Sequence, residues 1–270
     1  MAVETTAFIG GGNMARALIG GLCRAGHLPE AICVADPGAA ARDRVAAEFG
    51  VPVTASNPVA VAGARVIVLA VKPQVMGQVL PELQTALAPD ALVISIAAGI
   101  TLATLRRGLG EKGRLVRAMP NTPALFGVGM TGMVADSHVE AEDRKRAVDI
   151  LQTAGETVWL DDEGLMDVVT AVSGSGPAYF FALAEQLALA GERAGLAPAV
   201  AAKLARQTAF GAGTMLARSD HTAGQLREQV TSPGGTTAAA LAVLSAGGFE
   251  DLVARAVDAA VRRGRQLGEN

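Results

Sequence analysis

The stretch that decides the fold is Thr6-Ala7-Phe8-Ile9-Gly10-Gly11-Gly12-Asn13-Met14-Ala15-Arg16-Ala17-Leu18-Ile19. Ala7 to Ile9 is a short apolar run that reads as a buried strand. Three glycines follow, and then a helical pattern from Met14. Gly10, Gly12 and Ala15 fit G-x-G-x-x-G/A. The first glycine permits the tight turn, the second lets backbone approach a pyrophosphate, and the small third residue lets helix and strand pack closely. The helix N-terminus adds free N–H groups and a partial positive charge. A purely structural βα turn competes with this reading, because the chain holds 32 glycines. The order strand, turn, helix favours a dinucleotide site.

The 270 residues suffice for one large or two ordinary domains, and with half of them hydrophobic a sizeable core can form. A formal net charge of -3 provides no basic field for nucleic acid and no cationic face for a membrane. Aromatics at 3% leave few platforms on which bases could stack. Cys23 and Cys33 form no C-x-x-C pair and lack metal-ligand spacing, so they read as buried small hydrophobes and no metal site is expected. Glu4, Thr5 and Thr6 interrupt any leading apolar run, and no uninterrupted apolar stretch reaches the roughly 18 residues a membrane span needs. A cytoplasmic protein is the expectation.

After the glycine turn, Ala15 to Ala25 reads as a helix closed by Gly26, and Ile32 to Ala35 as a strand ending at Asp36. Asp36 lies roughly 20 residues beyond the turn, where an acid takes the ribose hydroxyls of NAD. It also reads as a helix N-cap before Pro37. Arg42 and Arg44 on the next helix could instead reach a 2′-phosphate, so cofactor choice stays open. Val51 to Val53 is a short third strand, and Asn57 opens the next segment. Arg65 to Val71 is almost continuously apolar, as a central parallel strand should be, and it runs into Lys72-Pro73. Leu92 to Ile96 ends in Ala97-Ala98-Gly99, and Leu115 to Met119 leads to Pro120-Asn121-Thr122-Pro123, a turn stiffened by two prolines. Gly127 to Val134 and Glu156 to Leu160 read as further strands around a polar helix, Glu140 to Thr153. Ligands in such sheets bind beyond the carboxyl ends of the strands. The pattern predicts a Rossmann-type, doubly wound α/β domain over residues 1–160.

Beyond Trp159 the strand pattern stops, and residues 161–270 read as an all-α domain. Helices are predicted over Glu163 to Val172, Pro177 to Ala194, Pro198 to Ala217, Ala223 to Val230, Thr236 to Ser245 and Phe249 to Leu267. They are apolar nearly all round, as in Ala182 to Ala190, and such helices want partners on every face. A dimer through this domain is expected. Ser173-Gly174-Ser175-Gly176-Pro177-Ala178-Tyr179 reads as a loop cutting a helical run. In Ser232-Pro233-Gly234-Gly235-Thr236-Thr237 the glycines and the helix start can clamp a carboxylate, although a plain interhelical turn is the alternative.

Together these residues resemble the pyrroline-5-carboxylate reductases. The resemblance covers nearly the whole chain and rests on Phe8 to Met14, Ala70-Val71-Lys72-Pro73, Ser95 to Gly99, Met119 to Pro123, Ser173 to Tyr179 and Ser232 to Thr237, in that order. It implies reduction of the cyclic imine Δ1-pyrroline-5-carboxylate to L-proline by NADPH or NADH, the last step of proline biosynthesis. It also implies a nucleotide domain followed by a helical dimerisation domain, with dimers gathered into larger rings. By resemblance, the cofactor contacts are Gly10, Gly11, Gly12, Asn13, Met14, Asp36, Asn57, Ala70, Val71, Lys72, Pro73, Ala97, Ala98 and Asn121, with Gln229 near the nicotinamide. The substrate contacts are Gly234, Gly235, Thr236, Thr237 and Glu163. The resemblance favours NADPH. Many relatives, however, carry a small or basic residue where this chain has Asp36, whose carboxylate would repel a 2′-phosphate unless turned away or offset by Arg42 or Arg44. This weakens the tilt toward NADPH without removing it.

A cyclic imine can arrive already protonated, so the site needs no strong acid; His27, His138 and His221 all fall outside the motifs. Thr237, or a water that it holds, is the candidate proton or hydrogen-bond donor at the imine nitrogen. Glu163 could stabilise the iminium from further away. Two competing readings are a β-hydroxyacid oxidoreductase and a non-catalytic NAD(P)-sensing protein. The first needs a lysine on the helix after the interdomain glycines, and Pro177 to Ala194 has none. The second has no use for an anion turn at Gly234-Gly235.

Overall fold

The computed structural model describes residues 4–268. Eight strands form one sheet: β1 Thr6–Ile9, β2 Ile32–Ala35, β3 Val53–Thr54, β4 Val66–Leu69, β5 Leu92–Ser95, β6 Arg114–Met119, β7 Gly129–Ala135 and β8 Gly155–Trp159. Their order is β3-β2-β1-β4-β5-β6-β7-β8. Neighbours from β3 to β6 are parallel, β7 runs antiparallel to β6, and β8 is parallel to β7.

Alternation along the central strands splits their side chains between two cores. Phe8, Val66, Val68, Leu92 and Ile94 enter one. Ala7, Ile9, Ile67, Leu69 and Val93 enter the other. Both faces are therefore apolar, which is why these strands read as unbroken apolar runs and why helices must cover each side. On the first face, α1 (Asn13–Arg24) contributes Leu18, Ile19 and Leu22, and α6 (Ala141–Leu151) contributes Ile150 and Leu151. On the second, α3 (Asn57–Val61), α4 (Met76–Gln84) and α5 (Leu102–Leu109) contribute Val61, Leu80, Leu83, Leu105 and Leu109. The remaining crossover helix, α2 (Ala39–Phe49), adds Val45. The doubly wound sheet expected from the sequence is present. Cys23 and Cys33 are half-buried rather than fully buried, each packed against one core, and burial pushes both thiols up.

The chain divides into two compact units, one running to Ser175 and resuming at Ala260, the other Gly176–Ala259. The expected division at 160/161 falls earlier. Residues 163–175 belong with the sheet because α7 (Met166–Val169) packs on it: a Cβ built on Gly132 of β7 would sit 2.6 Å from Val169 Cγ1.

The loop expected at Ser173 to Tyr179 does not form. Helical backbone continues as a π turn over Thr170–Gly174, with the Ser175 N–H donating to Thr170 O at 2.7 Å. It then enters α8 (Gly176–Arg193). Pro177 has no N–H to give to the carbonyl four residues back, that of Ser173. The Asn121 side-chain amide donates to that carbonyl instead, at 3.0 Å. The glycines and Pro177 interrupt the hydrogen-bond ladder without ending the helix.

The second unit consists of α8, α9 (Pro198–Arg218), α10 (Ala223–Gln229), α11 (Thr236–Ala246) and the first half of α12 (Phe249–Gly268). A capping box between Thr222 and Gln225 starts α10. Large apolar side chains stay exposed on this unit, Phe181 at 66% and Val243 at 71% among them. Among the described residues no single helix is long and apolar enough to cross a membrane.

Candidate active site

Parallel strands place the residues that follow β1, β2, β4, β5 and β6 at one end of the sheet. Gly10 to Asn13, Asp36, Ala70 to Pro73, Ala97-Ala98 and Pro120 to Thr122 all follow such ends. The strand order reverses between β1 and β4, the position where open α/β sheets take their ligands.

Gly10 has φ +102 and its N–H donates to Ala35 O at 2.7 Å. A Cβ there would lie 2.7 Å from Ala70 O, so the turn and the end of β4 touch backbone to backbone. Gly12 is exposed with open space where a Cβ would stand, and it begins α1 with no side-chain cap. Asn13 is exposed beside it, Met14 is half-buried, and Ala15 is fully buried against the sheet. An uncapped helix start beside an open glycine is what a pyrophosphate needs.

Asp36 sits inside this constellation with both carboxylate oxygens occupied. Oδ2 accepts the Gly11 N–H and Oδ1 accepts the Gly38 N–H, each at 2.8 Å. Gly38, rather than Asp36, is the N-cap of α2. Arg42 folds back to donate to Asp36 O and Pro37 O at 2.8 and 2.9 Å, while Arg44 is exposed. Asn57 opens α3 and donates to Glu82 at 2.8 Å. Ala70 and Val71 are half-buried, Lys72 is exposed, and Pro73 begins a 3-10 turn. Ala97 is buried and Ala98 half-buried beside it.

Asn121 and Glu163 are tied into the sheet unit. Besides donating to Ser173, Asn121 accepts the Met130 N–H at 2.9 Å. Glu163 Oε1 accepts from the Leu102 N–H at 2.8 Å and from Arg117 Nη1 at 2.9 Å. Arg117 is not among the residues that the motifs mark, although a lone charge inside the apolar run of β6 is itself a signal. Its side chain is only 7% exposed.

The remaining motif residues are in the helical unit. Gln229 is the exposed last residue of α10. Gly234 has φ +71, and Gly235 is the N-cap of α11 with no side-chain cap of its own. The Gly235 N–H returns to Ser232 O at 3.0 Å. Thr236 and Thr237 then form the first helical turn, whose amides have no acceptor within the helix. His27, His138 and His221 are all exposed.

A glycine cradle at the switch point of a doubly wound sheet, joined to an apolar helical unit, defines a two-part dinucleotide-dependent oxidoreductase. Two family models match: pyrroline-5-carboxylate reductase dimerisation over residues 163–267, and coenzyme F420-dependent NADP oxidoreductase over residues 5–99. The pyrroline-5-carboxylate reductase of Pseudomonas aeruginosa is 49% identical over 270 residues, covering 100% of this chain and 98% of that one. A solved pyrroline-5-carboxylate reductase from Coxiella burnetii superposes with a TM-score of 0.95 at 39% identity, covering 99% of this chain and 100% of that one. The Plasmodium falciparum pyrroline carboxylate reductase with NADP bound gives 0.86 at 32% identity, with 99% of both chains covered. The chain belongs to the pyrroline-5-carboxylate reductase family.

Proposed function

We propose that this chain reduces the cyclic imine Δ1-pyrroline-5-carboxylate to L-proline with a hydride from NADPH or NADH, the last step of proline biosynthesis. Full-length family membership carries this reading, and the uncapped, open glycine turn at Gly10 to Gly12 is what such a reaction requires. The sheet unit serves the nucleotide and the helical unit, Gly176–Ala259, serves substrate and dimerisation, with larger rings built from the dimers. The exposed apolar helices of the second unit support a homodimer.

In the mechanism, the α1 start with Gly10 to Met14 holds the pyrophosphate, and Ala70 to Pro73 and Ala97-Ala98 flank the bound nucleotide. The nucleotide supplies hydride when bound. The chain's own task is to hold the imine carbon within roughly 3–3.5 Å of the donor carbon. Backbone N–H groups of Gly234 to Thr237 bind the substrate carboxylate. The Thr237 hydroxyl hydrogen-bonds the nitrogen as its charge is lost. Thr237→Ala should lower kcat by roughly 10- to 100-fold with a smaller change in KM. A variant with wild-type steady-state kinetics would move that role elsewhere.

Asp36 tilts this chain toward NADH. Its carboxylate faces the amides of Gly11 and Gly38, and Arg42, one of the two basic residues that could offset it, is engaged with main-chain carbonyls. A 2′-phosphate brought to the ribose side would meet a like charge. Asp36→Ser removes that charge and frees two N–H donors, so the NADPH:NADH ratio of kcat/KM should rise about tenfold, equivalent to about 1.4 kcal/mol. The experiment follows nicotinamide absorbance with pyrroline-5-carboxylate and each cofactor, for wild type and variant. No turnover with either cofactor would remove the enzymatic reading; an unchanged ratio would remove Asp36 from selectivity.

A further inference from the structure

We propose that Glu163 is a positioning residue for the nucleotide side of the site, acting through the loop after β5, rather than a ligand of the substrate. The inference rests on the reading above that Ala97-Ala98 flanks the bound nucleotide.

Helix starts carry N–H groups that need acceptors, and those of α1 and α5 are treated differently. At α1 no side chain caps the turn, and Gly12 is open. At α5 the first helical residue, Leu102, gives its N–H to Glu163 Oε1 at 2.8 Å, and Thr104 gives its N–H to Thr101 Oγ1 at 3.1 Å. The protein's own groups therefore take two of the first three amides at the α5 start. A carboxylate at that point also meets the positive end of the helix dipole.

Glu163 reaches Leu102 across 61 residues of sequence. The same Oε1 accepts from Arg117 Nη1 at 2.9 Å, and Arg117 Nη2 lies 3.9 Å from Asp167 Oδ1. Arg117 is rooted in the middle of β6, whose position the sheet fixes. Rigid strand, guanidinium, carboxylate and loop amide thus form one chain of contacts. The loop is also held from behind: a Cβ on Gly99 would fall 3.3 Å from the Leu267 carbonyl carbon and 3.4 Å from Gly268 N. The end of the last helix thus packs directly on the loop. Closer to β5, Ala97 donates to Ser95 Oγ at 3.4 Å and Ile100 donates to Ala97 O at 3.4 Å. Both contacts are long, so the charged Glu163 tether at 2.8 Å is a strong polar restraint on this loop.

Two variants and three readouts test this. Glu163→Ala removes the acceptor. Glu163→Gln keeps its size and an oxygen for Leu102 but loses the charge opposite Arg117, so a folded variant is available if the first fails. In the nucleotide-free protein, exchange of the Leu102 amide hydrogen should quicken about tenfold in Glu163→Ala and less in Glu163→Gln, as expected for losing one charge-assisted hydrogen bond. The Kd of NADH or NADPH, read from nucleotide fluorescence, should rise about tenfold in Glu163→Ala for the same reason. KM for pyrroline-5-carboxylate at saturating nucleotide should stay within about twofold, since no substrate contact is lost. Unchanged exchange and nucleotide Kd would overturn the proposal, as would a raised KM for the imine with normal nucleotide binding. Exchange and Kd require no turnover, so they stay readable even if wild-type protein fails to reduce the imine, which would count only against the proposed reaction.

Discussion

Gly10→Ala is expected to raise the Kd for NADH or NADPH by about 10²-fold or more, with kcat/KM falling in step. Two costs add. At φ +102 an L side chain is strained, at roughly 1–2 kcal/mol. The new Cβ would also stand 2.7 Å from Ala70 O and 2.9 Å from Ala70 C, and neither is the movable end of a side chain. Overpacking of that kind costs about 1–3 kcal/mol. Relief comes only from moving the turn or the end of β4, and both carry proposed nucleotide contacts. Either movement also stretches the 2.7 Å bond from Gly10 N to Ala35 O. A combined loss near 3 kcal/mol taken from the bound state is about 10²-fold. Gly26→Ala is the matched control: its φ is +91, but nothing stands within 4 Å of its Cβ. It should lower thermal stability while leaving nucleotide affinity close to wild type. Fluorescence titration of both variants decides the matter, and Gly10→Ala binding within about threefold of wild type would remove Gly10 from the cradle.

The same turn shows what a sequence makes legible. Thr6 to Ile19 has strand, glycine turn and helix in local order, so the elements themselves are foreshadowed within a few residues. The apolar runs of β4 and β5 are equally readable, because burial on both faces leaves no polar positions. Interactions that join distant positions are not readable in this way. Ser173 to Pro177 has every local mark of a break, yet it stays helical because Asn121 supplies the donor that Pro177 lacks, from 52 residues away. Glu163 reads locally as an acid at a helix start, whereas its partners are Arg117 in β6 and Leu102 at the start of α5. Asp36 stands out as an acid at a strand end, but only the folded chain assigns its two oxygens to Gly11 and Gly38. Likewise, the reversal of β7 against β6 depends on how the 3-10 turn Thr122–Phe126 leads the chain back, which residue alternation within either strand does not encode.

That antiparallel side of the sheet carries the second large effect. Gly155 opens β8 at φ 144 and ψ -157, a region of backbone space open in practice to glycine alone. It pairs with Gly129 of β7, and a Cβ added to it would come within 2.1 Å of Gly129 O and 2.4 Å of Gly129 N. No rotamer change can relieve overlap between two backbones, so the pairing at this end must open. Strain of roughly 1–3 kcal/mol and overpacking of similar size together give about 3–5 kcal/mol for Gly155→Ala. In a chain of this length each kcal/mol moves Tm by roughly 2–4 °C, so a fall of about 10 °C is expected. Gly63→Ala separates the two contributions, since Gly63 has φ +75 and nothing within 4 Å of its Cβ. It should show the smaller, conformational part alone. β8 is an edge strand with β4, β5, β6 and β7 between it and the glycine turn after β1. Nucleotide Kd measured well below the lowered Tm should therefore stay near wild type. If Gly155→Ala melted within about 2 °C of Gly63→Ala, the close approach of the two strands would carry no weight in stability. If its nucleotide affinity fell as far as that of Gly10→Ala, the two ends of the sheet would be coupled, and the cradle would depend on the edge as well as on its own turn.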